Sequence, residues 1–184
     1  MTTDGDMNTW TRSRTRNIAG VAAAITMTAV LVGLASPHPA RASADDLALN
    51  GTYIATSNGD WARTNDSYHD EQTVRSTWTI TSTCTETYVC TGQVTSDHGW
   101  TAPLQWDSAQ WVVQRDIPGW QPCPDGTAVT GHQTYRFSPL DASGNVQYGS
   151  PTLGGEDKTV GPSGACGINK WLAVRMPFRL NKVV

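Results

Sequence analysis

The chain has 184 residues, of which only 16% are charged, and its acidic side chains outnumber the basic ones by three. Residues 1–44 read as an export segment with a signal-peptide helix: Arg12, Arg14 and Arg16 precede an uncharged apolar run from Ile18 to Ala35, and Ala42-Ser43-Ala44 supplies a small-x-small cleavage site. Setting that segment aside leaves one domain, 45–184, with an acidic excess of about five and no Lys/Arg cluster in its sequence, which argues against nucleic acid and anionic lipid heads as partners. The alternative for the apolar run is a retained anchor, at the short limit for crossing a bilayer. No Cys follows the run closely enough for lipid attachment.

In chain order, the first expected strand covers Thr52 to Thr56. The second runs from Thr73 to Ser82, where Val74, Trp78 and Ile80 alternate with polar residues and Ser76 interrupts the apolar face. Such alternation sets one face on a core and the other in water. A third strand is expected near Thr91 to Thr95. Leu104-Gln105-Trp106 and Gln110 to Ile117 flank Asp107-Ser108-Ala109 as a hairpin, and Val129, Tyr135 and Phe137 share a face on the next strand. The turn Asp141 to Asn145 then leads into a strand at Val146-Gln147-Tyr148, followed by a loose Gly-rich stretch, Gly149 to Gly167. The last strand carries an apolar column at Leu172, Val174, Met176, Phe178 and Leu180. Pro177 within it has no N–H for a ladder and marks an edge, a bulge or the end of a barrel.

About eight short antiparallel strands in about 140 residues predict an all-β domain, a small up-and-down barrel that is lipocalin-like in outline, with a two-sheet sandwich as the alternative. The four cysteines, Cys84, Cys90, Cys123 and Cys166, all lie in the exported part, where thiols are oxidised. The short span between the first two favours Cys84 with Cys90, which leaves Cys123 with Cys166. Loop entropy assigns the small ring about 2 kcal/mol and the large ring about 4 kcal/mol. Paired C-x-x-C spacing is missing, so no metal site and no cofactor is expected.

At Asn50-Gly51-Thr52-Tyr53, Trp78, Cys84 and Cys90, Trp100-Thr101-Ala102-Pro103, Trp111-Val112-Val113, Cys123-Pro124-Asp125-Gly126 and Gly164-Ala165-Cys166-Gly167, the chain resembles small secreted mycobacterial proteins and the extracytoplasmic segments of some mycobacterial Ser/Thr kinases. The resemblance implies a secreted or cell-envelope β domain with two disulfides. It carries no reaction and no catalytic residue. Gly51-Thr52-Tyr53 also resembles the Gly-x-Trp opening of lipocalin-like barrels.

Seven tryptophans lie after Ala44, and such rings fill cores or line pockets. Alternation places Trp78 and Trp111 in the core, and Trp100, Trp106, Trp120 and Trp171 beside turns or on outward positions. No Gly-x-Ser-x-Gly elbow is present, and Ser163 stands among glycines without a base. His69-Asp70-Glu71 and Asp97-His98 read as solvated loops, and His132 as an exposed strand residue. Arg115 differs: from Trp111 and Val113 to Ile117 strict alternation turns it inward, where a cation needs a partner. It predicts either an internal polar partner or a bound acid, with Arg115 on the head group and Trp111, Trp78 and Met176 around the apolar body. The leading function is thus the binding or carriage of a small amphipathic ligand. A structural or protein-interaction module of the envelope is the alternative, and a hydrolase without a recognisable motif the third.

Overall fold

The computed structural model describes residues 44–86 and 88–183; apart from Ala44, the expected export segment lies outside them. Ten strands form one antiparallel sheet: β1 (Gly51–Ser57), β2 (Arg63–Thr64), β3 (Ser67–Tyr68), β4 (Val74–Glu86), β5 (Val89–Ser96), β6 (Trp100–Asp107), β7 (Gln110–Pro122), β8 (Ala128–Pro139), β9 (Thr152–Val160) and β10 (Ala173–Lys182). The order β1-β4-β5-β6-β7-β8-β9-β10 closes on itself through β1 and β10. Eight strands therefore make an up-and-down barrel rather than a sandwich, and closure removes the open sheet edges. The β2–β3 hairpin hangs on β10 above the point where β1 ends.

The period-two pattern decides which side chains fill the barrel. Trp78 and Ile80 on β4, Trp111 and Val113 on β7, Tyr135 and Phe137 on β8, and Phe178 and Leu180 on β10 all point inward and are buried. Leu47 and Leu49 plug one end of the barrel, where the Leu49 N–H donates to Ser82 Oγ at 2.7 Å. A barrel of this strand number is either filled or left with room for one small ligand. Here the middle and the plugged end are filled, and the opposite end opens as a mouth.

Three local features depart from simple alternation. Pro177 sits where β1 stops: its carbonyl accepts from the Asn58 N–H at 2.9 Å, just past Ser57, so its missing N–H falls at the end of the pairing. The β6–β7 turn uses Ser108 and Ala109 with φ of 51° and 65°, the left-handed pair that a tight two-residue hairpin requires. On β7, Pro118, Gly119 and Trp120 together face Thr130 alone, between the pairs Ile117–Gly131 and Gln121–Val129. This bulge lays the Trp120 ring over Gly131, where a Cβ would stand 2.7 Å from the indole.

The expected strand at Val146-Gln147-Tyr148 is not one; it makes only an isolated bridge between Val146 and Leu140. The missing barrel strand is β9, inside the stretch expected to be loose. Gly154-Gly155 hid it, since glycine weakens strands in general. Here close approach requires it: a Cβ on Gly155 would fall 1.9 Å from the Arg136 carbonyl oxygen of β8.

Both expected disulfides are present. Cys84–Cys90 joins β4 to β5 at the plugged end, and Cys123–Cys166 joins the β7–β8 turn to the β9–β10 connection at the mouth.

Candidate ligand site at the barrel mouth

The mouth is a cup of about 210 Å³. Its wall is apolar and aromatic: Val74 from β4, Trp100 from β6, Ile117 and Trp120 from β7, Tyr135 from β8, and Val174 and Met176 from β10. The inward positions of these strands simply continue upward past the filled core. His98, in the β5–β6 turn, stands at the rim.

The floor is polar. Asp157 on β9 is only 1% exposed, and its carboxylate accepts from Gln133 Nε2 at 2.8 and 3.0 Å and from Ser57 Oγ at 2.7 Å. The other end of the same Gln133 amide accepts from Arg115 Nε at 2.7 Å. Gln133 thus bridges a cation and a buried carboxylate that do not touch. The Arg115 guanidinium lies 4.5 Å above the Trp100 ring, a cation–π contact that helps to hold it half-buried.

Burial raises the Asp157 pKa, against the lowering effect of its bonds from Ser57 and Gln133 and of the Arg115 charge. Burial likewise raises the Tyr135 phenol, with the Asp157 charge adding to it. For Asp157 the consequence has a definite sign. A carboxyl with a raised folded pKa contributes stability that is complete below the unfolded value of about 4 and is lost as pH rises through the folded pKa. Asp157→Asn, which keeps an acceptor for Gln133 and a polar partner for Ser57, is therefore expected to melt above wild type at pH 7. The difference should close toward pH 4, as thermal melts across pH will show.

Of the four residues expected around a ligand, the fold brings Arg115 and Met176 to the cup. Trp78 lies beneath it, its ring 5.3 Å from Trp100 and 4.9 Å from Tyr135 by centroid, so it backs two wall residues without lining the cup. Trp111 lies farther down, fully buried and edge-on to Trp106 at 5.4 Å. Trp106 packs on the core and Trp171 is exposed. His69 pairs with Glu71 at 3.2 Å, His132 with Asp116 at 2.6 Å on the outer face, and Ser163 is exposed on the connection after β9.

Sequence reasoning missed Asp157 and Gln133. The signal for Gln133 was present, because it shares the inward parity of Tyr135 and Phe137 and pairs across the sheet with Arg115. Asp157 lay in a strand read as a loop, and the β7 bulge that aims Trp120 has no periodicity to reveal it.

An eight-stranded antiparallel barrel with a filled core and a polar-floored mouth is the class that fold and site define. No family model matches the chain, and no curated protein matches it. Among solved structures it is similar to the monomer form of the M. tuberculosis PknI sensor domain, at 15% identity and a TM-score of 0.51, over 74% of this chain and 88% of that one. At that identity the likeness is one of fold. It falls on the kinase side of the resemblance drawn from the sequence.

Proposed function

We propose that the protein is an extracytoplasmic binding domain that takes a small amphipathic acid at the barrel mouth. The observation that carries this reading is Arg115, held in an apolar cup over Trp100 and tied through Gln133 to a buried carboxyl. The fork of a guanidinium matches a carboxylate. Asp157 is engaged by Ser57 and Gln133 rather than by Arg115, which leaves the outer guanidinium N–H groups of Arg115 for the ligand. Two disulfides and the basic-apolar-small pattern at the start of the chain support an oxidising, exported setting. The neighbour of the same fold is a sensor domain, which supports a ligand- or partner-sensing role.

The cup's size narrows the ligand. At about 210 Å³ it falls below the roughly 300 Å³ at which pockets for drug-sized ligands begin, and the barrel beneath is closed by Trp78, Phe137 and Phe178. A compact branched or aromatic carboxylate fits whole. A fatty acid fits by its head, with its chain outside.

Titration with a panel of short aromatic and branched carboxylates, read by intrinsic tryptophan fluorescence, is expected to saturate through the Trp100 response. Arg115→Met should weaken binding by about 2 kcal/mol, close to thirtyfold, with the melting curve still cooperative. No saturable response from the panel, or an Arg115→Met variant that alters stability and leaves binding unchanged, refutes the reading.

A further inference from the structure

The sequence after Ala44 has no run of Lys or Arg, but the topology builds one. Arg63 on β2 stands directly opposite Arg175 on β10, and Arg175 stands directly opposite Lys158 on β9. Their neighbours Val174, Met176, Asp157 and Thr159 line the cup, so by alternation these three cations project from the outer face. Among the described residues neither they nor the nearby Lys170 form an ion pair with a carboxylate; Arg63 instead donates to the Tyr68 hydroxyl at 2.8 Å and covers its ring. Like charges directly across a sheet are unfavourable. An acidic domain that keeps such a row on one face presents a surface complementary to an anion.

The surroundings of the row specify more than charge. Arg175 separates two hollows, of about 350 and 480 Å³. Trp61 and Tyr68 wall the first and Trp171 walls the second, and the three rings are 63, 68 and 56% exposed. Flat exposed rings beside concave ground suit the CH faces of sugars, whereas a bilayer has no shape to fill hollows. Glu156 in the first hollow and Asp66 in the second are acceptors for hydroxyl groups, which a bare polyanion lacks.

We propose that this face binds a linear glycan bearing uronic-acid carboxylates. Trp61 and Trp171 stack on sugar rings, and Arg63, Arg175 and Lys158 take the carboxylates between them. The three cations stand on the opposite face of the sheet from the mouth, with Met176 common to the edges of the cup and the first hollow, and their role does not depend on the reading given to the cup.

Isothermal titration of the protein with a short oligogalacturonate is expected to show saturable binding, and a neutral malto-oligosaccharide of equal length is expected to bind far more weakly. Arg175→Gln and Trp171→Ala should each reduce affinity about tenfold, with circular dichroism unchanged. Arg75→Gln, which removes an exposed cation on β4 outside this face, should leave it unaltered. The proposal is overturned by an absence of saturable binding, by equal affinity for the neutral glycan or for polyglutamate, by stronger retention on anionic phospholipid vesicles, or by equal loss with Arg75→Gln.

Discussion

Trp78→Ala is expected to destabilise the domain by about 3–5 kcal/mol in urea unfolding, the usual cost of emptying a large aromatic site. Trp78 is 1% exposed and meets Tyr135, Phe178 and Trp100 with ring centroids 4.9, 5.2 and 5.3 Å away. These neighbours come from three strands on different sides of the barrel, and the closed backbone ladder resists their collapse into the hole. Trp78→Phe separates packing from polarity. The indole N–H is buried and finds no acceptor among the described atoms, so phenylalanine removes an uncompensated donor while it keeps most of the ring contact. It should lose less than half as much as alanine. If the two variants lose equally, the ring is not the central packing unit inferred here. Because Trp100 and Tyr135 form part of the cup wall, Trp78→Ala should also blunt the fluorescence response to small acids.

What the sequence disclosed depended on which physical signal marked each element. β4, β7 and β10 have one face in the core and one in water, so alternation in the sequence alone places Trp78, Arg115, Met176 and Phe178 on the inner surface. β9 carried no such signal. Gly155 serves the close approach of β8, Gly154 leaves room for the Leu140 side chain, and the whole stretch reads as loose although Asp157 within it is among the most buried side chains of the domain. A carboxylate is buried only when other strands supply its partners, here Ser57 and Gln133, which stand 100 and 24 residues away in sequence. The cation row on the outer face was hidden for the same reason, since Arg63 and Arg175 become neighbours only when β2 docks on β10.

Removing the Cys123–Cys166 bond by a double Ser substitution is expected to cost about 4 kcal/mol, against about 2 kcal/mol for the Cys84–Cys90 pair, because the rings span 43 and 6 residues of separation. The two losses should also differ in kind. Cys84–Cys90 closes a hairpin that the β4–β5 ladder already holds, far from the cup. Cys123–Cys166 ties the β7–β8 turn to the β9–β10 connection, and between them Trp120 lies over Gly131 with its ring edge 3.4 Å from where a Gly161 Cβ would stand. Gly161 itself stays bonded to the Leu172 carbonyl at 2.8 Å, but once the tie is cut the connection beyond it is no longer anchored to the end of β7, and the packing around Trp120 at the cup rim loosens. The mouth disulfide should therefore govern ligand response as well as stability: Cys123→Ser/Cys166→Ser weakens small-acid binding at temperatures where the barrel is still folded, and Cys84→Ser/Cys90→Ser does not. Paired urea curves and fluorescence titrations on the two double variants test this. Equal effects on binding would show that Trp120 is positioned by the β7 bulge alone.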